Sequence, residues 1–311
     1  MPAKWLFKAA VATALLGWLL ARADLRSLWL LVYGQSAGAL LIAFAAQWAV
    51  IVVATVKWQL LLPGQAFLRL LRLNLAAQFY SLIFPGQVAA EAVKAYQLGR
   101  GRLDAQAIAT SVLFDKVTSL IALLVFGLAG ALTTELPLGA PLKSILLVLF
   151  LGGVGSLLAL RIPPLETTAI GTLTKVGKRF RKEGISRKLV LVIRAWADYS
   201  SRPLPLWGSL VVGALQQALH IAIVVILARG IGIEIRLLEW CWIFTLASIA
   251  TFLPISLAGV GVREGTFVGL LALFRVAAEQ ALALSLSLLA LQLLLGLIGG
   301  AIELVRSADG R

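Results

Sequence analysis

Long apolar runs, cut at uneven intervals by a few charges, dominate this chain. No charged residue occurs over Ser27–Val56, Val117–Thr134, Ser144–Leu160, Pro203–Ala228 or Gln280–Ile302. Each run approaches or exceeds the roughly 20 residues that a helix, rising about 1.5 Å per residue, needs to cross a hydrocarbon core of about 30 Å. Residues 5–21 form a shorter, mostly apolar run for which Lys4 and Lys8 can snorkel to the surface. The pattern predicts six full spans, with Lys57 closing the second and Trp58 in its interfacial belt.

Two stretches break the pattern. From Leu73 only 12 residues precede Pro85, about 18 Å of helix and too short to cross. Pro85 removes a backbone donor and Gly86 frees the backbone angle. A second short helix then runs to about Leu98, carrying Glu91 and Lys94 three positions apart on one face. In the second half, Trp240–Leu253 is 14 residues before Pro254, and a short helix follows to Phe274 through Gly259, Gly261, Arg263 and Glu264. Each broken segment fits either a re-entrant hairpin or one full span through the break.

Charge arbitrates between them. Residues 161–204 carry ten basic side chains against three acidic ones, half of the chain's net charge of +14. Positive loops stay on the cytoplasmic side. Counting back two spans places Lys94, Arg100 and Arg102 inside, as Lys57, Arg69 and Arg72 are if the N-terminus with Lys4 and Lys8 is inside. Both ends of 73–98 are then cytoplasmic, which favours a hairpin. If 240–274, between neutral loops, is a second hairpin, it enters from outside and both termini are cytoplasmic; as a full span it would land the basic C-terminus outside. Within 161–204, Leu189, Val192, Ile193, Trp196 and Tyr199 recur at helical spacing and predict a helix on the inner membrane surface.

Composition narrows the class. The chain is 60% hydrophobic and only 14% charged, with mean hydropathy +0.96, against about 25% charged residues in a soluble domain. A single all-α integral membrane domain over 1–311 is expected, in the plasma (inner) membrane. The positive charge then suits anionic lipid headgroups rather than nucleic acid. One cysteine, Cys241, and one histidine exclude an internal disulfide and Cys/His metal clusters, and no cofactor is expected. No cleavage site follows the first apolar run, which reads as a membrane helix rather than a signal peptide.

The halves repeat. Gln106–Leu113 resembles Gln280–Ser287 at an offset of 174, Glu264 follows Glu91 by 173, and Pro254 follows Pro85 by 169. Break, acid and following span recur in order. With hairpins entering from opposite faces, this is an inverted repeat, and paired interrupted helices point to a transporter's binding site.

The residues Pro85-Gly86-Gln87, Ala89-Ala90-Glu91, Lys94 and Asp115-Lys116 resemble a pattern in the transmembrane, flippase-like region of lysylphosphatidylglycerol synthases. That family typically has Pro-Gly-Gly, Gly-Gly-acid, a base, and an Asp-Arg pair one helix later. Leu253-Pro254-Ile255-Ser256 through Gly259, Gly261, Arg263 and Glu264 fits more closely. The resemblance covers about residues 30–305. It departs where Gln87, Ala89 and Ala90 stand for glycines and Lys116 for arginine, which bears on the first hairpin's tip and on the substrate. The resemblance implies an integral membrane protein that moves or handles a lipid, expected here as a stand-alone member without the aminoacyl transferase domain of its synthase relatives.

Intramembrane charges are costly and functional by default. Glu91, Lys94, Asp115, Arg263 and Glu264 are therefore the candidate substrate-binding residues, and Pro85, Gly86, Pro254, Gly259 and Gly261 the candidate hinges. Glu91 and Glu264 also suit the positive end of a helix, and Lys94 also suits a snorkelling lysine. Asp115 and Lys116 point about 100° apart and are not expected to pair with each other. His220 reads first as a hydrogen-bonded core histidine, with a proton relay as the alternative. Asn74, Gln78, Gln216 and Gln217 either line a cavity or join helices. The glycines of 259–265 follow no strand, which argues against a nucleotide-binding loop, and no nucleophile–base triad is visible. Translocation of a polar-headgroup lipid is the leading reading, with membrane lipids and lipid-synthesis enzymes as partners. An intramembrane enzyme acting on a lipid phosphate, or an accessory subunit of a lipid-modifying complex, is the alternative.

Overall fold

The computed structural model describes residues 17–21, 23–83, 87–99, 105–134, 139–159, 161–179, 183–252 and 260–309. Among them the chain is all-helical, with no strand. Twelve helices follow residues 17–21: α1 (Leu25–Tyr33), α2 (Ala37–Leu61), α3 (Phe67–Ile83), α4 (Gln87–Gly99), α5 (Ala105–Thr133), α6 (Gly139–Ala159), α7 (Pro163–Arg179), α8 (Glu183–Ser201), α9 (Pro203–Gly230), α10 (Leu237–Phe252), α11 (Val262–Ala272) and α12 (Ala278–Asp309). Five of them, α2, α5, α6, α9 and α12, are long and apolar enough to cross a membrane. The sixth expected span, 5–21, lies outside the described residues except for 17–21. The breaks at Pro85, Gly86, Pro254 and Gly259 also lie outside them.

The expected second span is corrected at both ends. The uncharged run from Ser27 is not one helix. Asp24 caps α1 by accepting the Arg26 N–H at 3.0 Å, and α1 stops at Gly34. The spanning helix begins at Ala37 and continues through Lys57 to Leu61. Lys57 therefore does not close a span: it is fully buried inside the protein, where an acidic partner replaces the water a helix end would have supplied. The first broken segment is longer than expected, since α3 starts at Phe67 rather than Leu73. At 17 and 13 residues, α3 and α4 each reach only about 20–26 Å. The second segment is made of α10, with 16 residues, and α11, with 11.

The cores show where the ends of these short helices lie. Leu70 at the start of α3 and Leu98 at the end of α4 share one buried cluster with Trp58, near the end of α2, and Ile108, near the start of α5. The α3–α4 pair thus leaves from and returns to the same end of α5. At the other end of α5, a Cβ on Gly130 would collide with the Leu238 carbonyl at the start of α10. After α11, Phe274 lies back against Trp242 of α10, with ring centroids 5.9 Å apart. Ile108 and Gly130 are separated by about 33 Å along α5, the thickness of a hydrocarbon core. The two pairs therefore approach from opposite ends of the bundle.

Packing repeats the same exchange. α2 and α9 pack on each other; α3 packs on α12, as α10 packs on α5. Swapping the halves maps these contacts onto themselves, which gives the sequence repeat a structural counterpart. Apolar burial gains little between helices in lipid, so association depends on close backbone approach at small residues. Gly299 faces the Leu75 carbonyl as Gly130 faces that of Leu238. The basic segment folds as α7 and α8, packed on each other. The helical pattern expected there is present, but its aromatic face covers protein. Trp196 is buried, donates to the Ser156 carbonyl at 3.1 Å and meets Phe114 edge-on, while the Tyr199 hydroxyl donates to the Leu61 carbonyl at 3.0 Å.

These approaches predict opposite responses to one chemical change. Gly130→Ala and Gly299→Ala force a backbone separation and lower thermal stability in detergent by about 1–3 kcal/mol. Gly155→Ala, with open space around it, is neutral or gains up to about 1 kcal/mol from helix propensity. Unfolding followed by tryptophan fluorescence distinguishes the two classes.

Candidate functional site

Helices of both short pairs, α3–α4 and α10–α11, border one space. A cavity of about 360 Å³ lies there, lined by residues of both halves. Glu91 and Lys94 of α4, Asp115 and Lys116 of α5, and Arg263 of α11 all reach it. Four of the five predicted substrate-binding residues are thus brought together. The fifth, Glu264, is fully buried behind Arg263.

On the first-half side, the polar groups form two networks, one around Glu91 and one around Lys57. Glu91 lies 2.6 Å from Lys94 and 2.7 Å from Lys116. Lys94 donates to Asn74 Oδ1 at 3.1 Å, and Asn74 donates to Thr55 Oγ1 at 2.9 Å. The Lys94 ammonium also sits 4.7 Å from the centroid of the Trp58 ring, whose face attracts a cation. Lys94 is therefore not a snorkelling lysine. Asp115 does not pair with its neighbour Lys116 but with Lys57, at 3.1 Å. Lys57 Nζ also donates to the Asp115 carbonyl at 2.8 Å and to Ser119 Oγ at 2.6 Å, which engages all three of its protons. Gly213 on α9 leaves the room: a Cβ there would stand 3.4 Å from the Lys57 amine.

On the second-half side, Gly261 starts α11 with φ +84°, a conformation that favours glycine. Its N–H is accepted by Glu264 Oε2 at 2.5 Å. The other oxygen of Glu264 holds Arg263 Nη2 at 3.0 Å and accepts the Ser285 hydroxyl at 2.9 Å. Glu264 is thus the acid of a helix start and the anchor of the arginine that faces the cavity. Arg263 also donates to Ser285 and, through Nη1, to Gln292 Oε1 at 3.3 Å.

Counted together, Lys57, Lys94, Lys116 and Arg263 oppose Glu91, Asp115 and Glu264. One positive charge is left over at the centre of an apolar bundle, where isolated charge is expensive. Such a site attracts an anionic group.

Other residues fall into place around this core. Gln78, Gln216, Gln217 and His220 line the cavity, with His220 stacked on Phe244 at 5.9 Å. Arg69 and Arg72 are exposed, as surface anchors should be. The charge pattern missed Lys57, although it was a lysine directly after a 30-residue uncharged run and so already a candidate intramembrane charge. Gln47 and the role of Lys116 were also missed; only the tertiary contacts reveal them.

The sequence profile of the family described as Lysylphosphatidylglycerol synthase TM region matches residues 5–300. No curated protein and no solved structure matches the chain.

The Lys57–Asp115 pair gives a sharp test. Lys57→Met leaves a carboxylate in the bundle without its partner and lowers stability by about 3–5 kcal/mol. The double change Lys57→Met with Asp115→Leu removes both charges and recovers most of that loss. Thermal unfolding of the wild type, Lys57→Met, Asp115→Leu and the double variant in one detergent measures the coupling. Additive losses would mean that the two side chains act independently.

Proposed function

The chain belongs to the lysylphosphatidylglycerol synthase TM region family, and on that premise we propose that it translocates a polar-headgroup lipid across the bilayer. As a member of that family with five membrane-crossing helices among its described residues, it is an integral, multi-pass membrane protein of lipid handling. The step to translocation rests chiefly on one observation: a polar cavity, net positive by formal charge, is lined by both short helix pairs, whose outer ends lie at opposite ends of the bundle.

In this reading α3–α4 is a re-entrant hairpin from the cytoplasmic face and α10–α11 its counterpart from the other face. The headgroup enters the cavity while its tails remain in lipid. Lys94, Lys116 and Arg263 hold the phosphate; Arg263 is suited to two-point contact because its guanidinium is planar and already oriented by Glu264. Glu91 and Asp115 balance the cations when the site is empty. Because Glu91 on the first hairpin pairs with Lys116 on α5, an arriving phosphate competes for that lysine. Loosening of this pair is the event that lets the hairpin move against α5 and change which face is open.

Transport is tested in proteoliposomes with fluorescent lipids and a membrane-impermeant quencher. The wild type moves lipid between leaflets, whereas Glu91→Gln and Arg263→Ala reduce the rate at least tenfold while eluting as folded protein. No movement of any headgroup class by well-folded protein sinks the translocation reading. Topology is tested separately by cysteines placed at Gln65, Gly99 and Arg275 with Cys241 replaced. Gln65→Cys and Gly99→Cys react with an impermeant maleimide from one face and Arg275→Cys from the other. Labelling of Gln65→Cys and Gly99→Cys from opposite faces would make α3–α4 a full crossing instead.

A further inference from the structure

The charge balance of the site leaves one titratable group out. His220 of α9 is the chain's single histidine and lines the cavity. Its Nδ1 is buried, and among the described residues no hydrogen bond engages it. The ring stacks on Phe244 of α10, with centroids 5.9 Å apart and planes 22° from parallel. The Gln216 carbonyl, one turn back on α9, and the ammonium of Lys116 on α5 both act on the ring. The other charged groups that reach the cavity are Glu91 and Lys94 of α4, Asp115 of α5 and Arg263 of α11; the parts of α2, α3, α9, α10 and α12 that line it carry no charge. A ring nitrogen without a partner can take a proton without giving up a bond it already makes.

We infer that His220 is a proton-binding site coupled to anion occupancy: the neutral ring takes up one proton when an anion enters the cavity and returns it when the anion leaves. The inference rests on the anion-attracting cavity of the translocation reading and adds a proton to what that cavity carries. The step is simple acid–base chemistry. A proton from water entering the cavity forms an N–H bond at the free lone pair of the imidazole, and nothing is oxidised or displaced. Charge decides when this happens. The empty site already holds one positive charge in excess, and a second in apolar surroundings is costly. An anion in the cavity reverses that balance, because the imidazolium is then attracted. Phe244 acts in the same sense, since a cation over an aromatic face is attracted to it. Coupling is reciprocal: an anion that promotes protonation binds more tightly to the protonated site. Imidazole is the side chain whose charge ordinarily changes near neutral pH, which suits it to change state as the site fills and empties. His220 also stands where a spanning helix meets the second short pair, so displacement of that pair alters the ring's surroundings. An anionic lipid then crosses together with a proton, and a proton gradient biases its direction.

The test uses full-length protein in detergent, purified without a histidine tag so that His220 stays the sole histidine. Sulfate is the probe, because its charge is constant between about pH 6 and about pH 8 and any pH dependence then belongs to the protein. Sulfate binding measured by calorimetry tightens about tenfold from about pH 8 to about pH 6. Heats in two buffers of different ionisation enthalpy show up to about one proton taken up per sulfate bound. Nuclear magnetic resonance of protein carrying isotope-labelled histidine reads the ring directly: at about pH 6 it is neutral in the empty protein and doubly protonated with saturating sulfate. His220→Gln flattens the pH dependence to less than about twofold, and its unliganded melting temperature shows whether it is folded. The resonance measurement on wild type decides the matter even where that variant does not fold. Sulfate binding that ignores pH, a pH dependence that survives in folded His220→Gln, a ring that stays neutral with sulfate present, or no sulfate binding overturns the inference. Leaflet exchange is a separate readout. Protein that binds sulfate and a proton together but moves no lipid keeps this inference and loses translocation; protein that moves lipid at a rate indifferent to an imposed pH gradient and to His220→Gln does the reverse.

Discussion

Charge placed in an apolar bundle must be answered by charge or hydrogen bonds from the protein itself, because lipid supplies neither. Lys57 shows the force of this constraint. Its ammonium is fully buried, and its three contacts, to the Asp115 carboxylate, the Asp115 carbonyl and the Ser119 hydroxyl, all lie on one turn of α5. α2 and α5 are thereby held in one register. Gly213 on α9 completes the fit by leaving the space a side chain would occupy. Around that fixed point, Glu91 of α4 is shared between Lys94 on its own helix and Lys116 on α5. The two ion pairs differ in access: Lys57 is sealed from the cavity, whereas Lys116 lines it.

The two halves solve the same problem with different chemistry. In the second half, Glu264 secures Arg263 and draws its remaining bonds from Ser285 and the Gly261 N–H. Ser111, the counterpart of Ser285 in the first half, instead accepts from the Trp58 indole, and Glu91 is left to two lysines. Glu264 is a closed structural carboxylate and Glu91 an open one.

Much of this was legible in the chain itself. Uncharged runs revealed the spanning helices, since a helix of fixed rise must match a fixed thickness of hydrocarbon. Pro85 and Pro254, set in apolar sequence too short to cross, marked the broken segments. Glu91, Lys94, Asp115 and Arg263 were found by the same rule, that an ionisable group at membrane depth is retained for a reason. The near-symmetric spacing of breaks, acids and following spans announced two related halves before any contact between them was known.

What the sequence could not decide is which charges meet. Lys57 and Asp115 are 58 residues apart, and Glu91 and Lys116 lie on different helices; no local period links them. Lys57 looked like the end of a helix because a charge after a long apolar run usually meets water. Only the packing of α2 against α5 and α9 put a carboxylate, a hydroxyl and a glycine there instead. The glutamines were ambiguous for the same reason: an amide that joins helices and one that faces a cavity have the same neighbours along the chain. Helix positions follow from the chemistry of consecutive residues, whereas the cavity and its excess charge arise from surfaces that approach only when the two halves interlock.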